Sequence, residues 1–111
     1  MNDCLFCRII AGEIPSTKVY EDDRVYAFRD INPQAPVHVL IVPKKHVDNI
    51  LQCDGDMAAA LTEAVGEVAR REGVAENGFR VISNCGHDGA QSVNHLHFHL
   101  LGGAQLTEKM A

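Results

Sequence analysis

His95-Leu96-His97-Phe98-His99-Leu100-Leu101 sets three imidazoles in strict alternation with apolar side chains. A β-strand sends successive side chains to opposite faces. Read as a strand, the stretch projects His95, His97 and His99 together and buries Leu96, Phe98 and Leu100 on the other side. A helix would scatter the imidazoles around its axis. Half of the chain's six histidines sit here. Aligned imidazoles beside an apolar stripe are costly unless they bind something. Two chemistries fit the pattern. A neutral imidazole can attack phosphorus if one tautomer is fixed, and three histidines can also build a zinc site. On spacing alone the two stand level. His38 and the Gln91-Ser92 donors tilt the balance towards phosphate.

Outward from this stretch, the apolar run Val37-His38-Val39-Leu40-Ile41-Val42-Pro43 reads as a central strand. Lys18–Glu21 and Val25–Arg29 read as two strands joined by a polar turn. The double-proline segment from Asp30 to Pro36 is a constrained loop. Cys4 to Ala11 carries Leu5, Phe6, Ile9 and Ile10 at the spacing of a short helix that Gly12 ends. A second helix begins after Asp54 or Asp56 and runs to about Glu72, with Met57, Leu61, Val65 and Val68 on one face. Residues Gly78 to Asn84 form a further strand, and the Cys85–Gln91 loop leads into the histidines. The sequence predicts an α+β domain with mostly antiparallel strands and its helices on one face.

A chain of 111 residues fits one domain. Its formal net charge of −5 argues against nucleic acid as a partner. No apolar run is long enough to span a membrane, and Met1-Asn2-Asp3 does not open a leader pattern, so a cytoplasmic location is expected. Four cysteines in such a chain read as ligands or thiols, not as a disulfide framework. Cys4-Leu5-Phe6-Cys7 offers half of a tetrahedral zinc site, with His46 and then His95 as candidates for the rest. The alternative is two small buried side chains on an amphipathic helix. Cys53 and Cys85 have no partner at ligand spacing. Asp30 can accept the hydroxyls of a ribose or simply cap its loop. Lys44-Lys45 reads as a solvated strand end and His87 as an exposed loop residue.

These motifs resemble the histidine triad (HIT) family in its Hint-like nucleotide-binding branch. The resemblance rests on the His95–Leu101 pattern and on Ala27-Phe28-Arg29-Asp30-Ile31-Asn32-Pro33-Gln34-Ala35-Pro36. It rests also on His38-Val39-Leu40-Ile41-Val42-Pro43-Lys44-Lys45-His46 and Gly89-Ala90-Gln91-Ser92. It spans a core from about Cys4 to Gly103, with 104–111 as a tail. It implies a five-stranded antiparallel sheet with two helices, joined to a second sheet in a homodimer. It also implies a purine nucleotide or nucleoside phosphoramidate as ligand. His97 would attack the α-phosphorus and carry a transient nucleotide, with His99 and His95 lining the phosphate, His38 buttressing them and Ser92 near the leaving nitrogen. Asp30 and Ile31 would hold the ribose; Asn84, Ala90 and Gln91 would complete the phosphate and sugar contacts; Leu5, Phe6 and Phe28 would border the base. Relatives with the N-terminal cysteines imply structural zinc on Cys4, Cys7, His46 and His95, a cofactor the chemistry itself does not require. A zinc-bound His95 would brace the strand and could not shuttle protons. Asn94 stands where an aromatic residue is frequent and Ala104 where arginine is, which leaves the leaving-group preference open. Besides a phosphoramidase, the sequence accommodates a nucleotide-binding interaction module with incidental turnover, or a dinucleoside polyphosphate hydrolase.

Overall fold

Residues 3–109 are described by a computed structural model. Met1, Asn2 and the last two residues of the expected tail lie outside them. The order of elements is α1 (Leu5–Ile10), β1 (Lys18–Glu21), β2 (Val25–Arg29), β3 (Val37–Pro43), α2 (Gly55–Arg71), β4 (Phe79–Ile82) and β5 (Phe98–Gly102), with a 3₁₀ turn at Ile50–Gln52. All neighbouring strands pair antiparallel in the order β1-β2-β3-β5-β4. The last strand to be made therefore lies inside the sheet, between β3 and β4.

The two helices lie on opposite faces of the sheet, which corrects the expectation of a single helical face. On one side α2 packs Ala60, Leu61, Ala64 and Val68 against Val25, Ala27, Val39, Ile41, Leu96 and Leu100. On the other, α1 packs Phe6 and Ile9 against Tyr26, Phe28, Leu40 and Val42. The physical reason is in β2 and β3. Val25-Tyr26-Ala27-Phe28 and Val39-Leu40-Ile41-Val42 are apolar at every position, and a strand that is apolar on both faces needs cover on both. Asp54 caps α2 by accepting the Met57 N–H at 2.8 Å, Arg70 and Arg71 occupy its last turn, and Gly73 turns the chain away at φ +73°.

The histidine stretch is only partly strand. Regular pairing starts at Phe98, not at His95. Before it, the Leu96 N–H donates to the Val47 carbonyl at 2.8 Å and His95 turns towards Pro43. The alternation of faces nevertheless holds. Leu96, Phe98 and Leu100 meet the α2 side, while the His95, His97 and His99 rings face the α1 side, the first two against Phe6.

Candidate active site

Every imidazole of the stretch has its proton placed by a partner of fixed polarity. Main-chain carbonyls only accept, and main-chain N–H groups only donate. His97 Nδ1 lies 2.7 Å from the His95 carbonyl, so Nδ1–H donates to it and the lone pair is left on Nε2. The Gln34 N–H donates to His38 Nδ1 at 3.0 Å, which puts the His38 proton on Nε2. That proton is donated to His99 Nδ1 at 2.9 Å, so the His99 proton sits on Nε2. Asp30 Oδ2 lies 3.5 Å from His38 Nε2 and adds a carboxylate to the chain of contacts.

Burial keeps these rings neutral. It pushes His99 down to about 4, with His97 and His38 adding repulsion and Asp30 opposing. Burial also lowers His38, against the pull of Asp30, and lowers His97, against its own hydrogen bond to the His95 carbonyl. A neutral ring with one nitrogen donating and the other bare is what nucleophilic attack on phosphorus requires.

These groups adjoin a cavity of about 510 Å³ between α1 and the sheet. Leu5, Phe6, Phe28, Asp30, Ile31, His38, Ser92 and His99, all expected at the site, line it. Ile31 stands at its rim, 91% exposed. His97 is not among the lining residues. It is 3% exposed and packs edge-on to Phe6 and His99 at 5.0 and 5.1 Å between ring centroids. Asn84, Ala90 and Gln91 lie outside the cavity wall. Asn84 Nδ2 donates to the Gly89 carbonyl at 2.7 Å. Gln91 Nε2 donates to the carbonyls of Asp48 and Val93, and its Oε1 accepts the Gly86 N–H, so this side chain ties three loop segments together. Lys44 pairs with Glu21 at 2.7 Å, and the His87 ring lies 3.0 Å from its exposed neighbour Asp88 while its carbonyl accepts the Ala90 N–H.

Sequence reasoning missed Ile9, Ile14, Pro15, Ser16, Arg29, Asn32, Gln34, Leu40 and Val93, which also line the cavity. Ile9 was signalled by its position three residues after Phe6 on the same helix face. Ser16 carried no local signal.

A second constellation joins the two ends of the chain. Cys4 Sγ and Cys7 Sγ lie 3.3 and 3.5 Å from His95 Nδ1. Cys7 Sγ is 3.4 Å from His46 Nδ1, and the two Nδ1 atoms are 3.1 Å apart. A tetrahedral zinc with its usual bond lengths spaces such ligands about 3.3–3.8 Å apart. The proton positions fit as well. His95 Nε2–H donates to the Pro43 carbonyl at 2.8 Å, and His46 Nε2–H to the Asp48 carboxylate at 3.1 Å. Both Nδ1 lone pairs therefore point into the cluster beside two cysteine sulfurs, a donor set that suits zinc, and both rings have the acceptor that usually orients a metal-bound histidine. Asp30, His38 and His99 also converge, but His38 spends one nitrogen on Gln34 and the other on His99, so this trio forms a relay.

The HIT domain profile matches residues 11–106 of the chain. The chain belongs to the HIT family. Among HIT relatives, a purine nucleoside phosphoramidase of Escherichia coli K12 is 43% identical over 112 residues, covering 98% of this chain and 94% of its own. A 14 kDa zinc-binding protein of Brassica juncea is 47% identical over 109 residues, covering 94% and 96%. A HIT family hydrolase from Clostridium thermocellum has the same fold, with a TM-score of 0.95 at 46% identity over 100% of this chain and 99% of that one.

Proposed function

We propose that this HIT protein hydrolyses purine nucleoside phosphoramidates at the α-phosphate through a nucleotidyl-His97 intermediate. The observation that carries the reading is the 2.7 Å bond from His97 Nδ1–H to the His95 carbonyl, which leaves Nε2 as a bare, neutral nucleophile. The Nε2 lone pair attacks phosphorus, and the P–N bond breaks with its electrons going to the amine nitrogen. That nitrogen takes the Nε2 proton of His99, which binding of the anionic phosphate has first brought to the imidazolium form, with Ser92 beside it. Water then attacks phosphorus, returns a proton to His99 and displaces the nucleoside monophosphate from His97. The 5.1 Å between the His97 and His99 rings lets one phosphate meet both. Asp30 takes the ribose at the end of β2, and Leu5, Phe6 and Phe28 take the base. The phosphoramidase activity named for the Escherichia coli relative supports this substrate class.

Cys4, Cys7, His46 and His95 would hold a zinc ion, which supplies structural bracing and takes no part in bond breaking; the zinc-binding name of the Brassica relative supports this. A homodimer formed by edge-to-edge pairing along β4 belongs to the same reading. Of the two sheet edges, β1 carries Lys18 and Glu21, charges that discourage pairing, while β4 leaves Phe79 and Val81 38% and 39% exposed. The test of the reaction is mass spectrometry of the protein mixed with an adenosine phosphoramidate. An adenylate adduct on His97 is expected. Turnover in His97→Ala at the unaltered rate would overturn the reading.

A further inference from the structure

The cavity crosses the sheet in strand order. His99 lies on β5, His38 and Leu40 on β3, Phe28 on β2 with Asp30 just past its end, and Ser16 two residues before β1. The bond from the Arg29 N–H to the Thr17 carbonyl holds this last segment alongside β2. The register runs from His99 through Leu40 and Phe28 to Lys18, and Ser16 lies two residues beyond Lys18, so strands spaced about 4.8 Å apart with a rise of about 3.3 Å per residue put Ser16 about 16 Å from His99. A nucleotide with its phosphate at His99 and its ribose at Asp30 therefore points its base at Ser16.

The walls around that end are apolar: Ile9, Ile14, Pro15 and Phe28. Two polar residues stand among them: Arg29, whose guanidinium is paired with Glu72, and Ser16. Its hydroxyl lies 2.8 Å from the hydroxyl of Tyr26, whose ring is buried against Phe28. Tyr26 fixes the serine in place. Two hydroxyls that share one hydrogen bond still hold a second hydrogen and spare lone pairs, so the pair can donate to or accept from a ligand. A polar contact at the far end of an apolar slot sets selectivity by what reaches it. A bicyclic purine extends further from the sugar than a pyrimidine ring does.

We infer that Ser16, anchored by Tyr26, is the residue that reads the outer edge of the base and favours purines. This rests on the nucleotide reading of the cavity given above. The test is calorimetric titration of the unaltered protein, Ser16→Ala and Tyr26→Phe with AMP and with CMP. Ser16→Ala is expected to weaken AMP binding about two- to ten-fold, the range of one hydrogen bond, and to leave CMP binding unchanged. Tyr26→Phe frees the serine to turn away and weakens AMP in the same sense by a smaller factor. Unchanged AMP affinity in Ser16→Ala, or an equal loss for both nucleotides, overturns the inference. Ser16 is exposed, so its substitution carries the test even if Tyr26→Phe fails to fold. Equal affinity of the unaltered protein for AMP and CMP sinks this inference and leaves the nucleotide reading standing. Binding of neither sinks both.

Discussion

The main-chain N–H of Gln34 lies 3.0 Å from Nδ1 of His38. The double-proline loop thereby decides where the His99 proton sits, two imidazoles away. His38 is then a positioning residue whose loss leaves His99 free to choose either tautomer. His38→Ala should lower kcat for an adenosine phosphoramidate about 10²-fold, the lower end of general acid–base contributions, with KM within about three-fold. Steady-state kinetics separates the two. A rise in KM at constant kcat would place His38 in ground-state binding instead.

Acid should destabilise the fold through the same pair. Burial holds His99 at about 4, against about 6.5 for a free histidine, and depresses His38 in the same direction. The groups facing them are His97 and Asp30. Between about pH 6.5 and 4 the unfolded chain binds more protons than the native one, so stability rises with pH across that window. The contribution is complete above about pH 6.5 and is lost as pH falls towards 4. Urea midpoints measured over this range should show the slope, and His99→Asn should flatten it.

With zinc held by Cys4, Cys7, His46 and His95 as proposed, its removal should loosen the molecule without stopping the proposed chemistry. The cluster ties α1 to Val47's neighbour His46 and to the segment before β5. Cys4→Ser, or a strong chelator, is expected to cost about 2 kcal/mol or more, which for a domain of this size is about 10 °C in melting temperature. Thermal denaturation alongside native mass spectrometry for bound zinc checks this. Turnover per folded molecule should stay within about two-fold, because no bond-breaking step uses the ion.

Ala90 adopts φ +57°, a left-handed backbone that alanine disfavours. Its neighbour Gly89 has no room for a side chain, since a Cβ there would lie 2.5 Å from the Cys85 carbonyl oxygen. Ala90→Gly should relieve the strain and raise stability by about 1 kcal/mol. Gly89→Ala should do the reverse. Chemical denaturation of both variants tests the pair.

If β4 forms the dimer edge, a charge on its outer face should prevent pairing. Val81→Lys is expected to yield a folded monomer by native mass spectrometry. A dimer that survives the substitution would place the interface elsewhere.

The chain order of helices and strands was legible because β3 and α2 carry strong periodic or continuous apolar patterns and clear caps. The alternation of the histidine stretch was legible too, although its first three residues obtain their placement from Val47 and Pro43, not from a sheet neighbour. The opposed helices were also written in the sequence, in the unbroken apolar runs of β2 and β3, but the pattern of α1 alone does not say which face it covers. Long-range convergence was not legible from spacing. Nothing local links Cys4 to His95 across 91 residues; ligand chemistry made His95 a second choice after His46, and family resemblance placed both in one set. Ser16 and Tyr26 escaped for the same reason: a serine after a proline and a tyrosine in a strand look ordinary until folding brings their hydroxyls together.

The insertion of β5 between β3 and β4 has a consequence for biosynthesis. Until Phe98–Gly102 leaves the ribosome, β3 has a bare edge, β4 has no neighbour, and α1 lacks the histidine that would pin it. A nascent chain thus carries Phe6 without the His95 and His97 rings that pack on it for most of its synthesis, and both the cysteine–histidine cluster and the imidazoles of the candidate site come together at the end. Completion of the sheet and completion of the candidate site are one late event, so a chain cut short before that strand has neither.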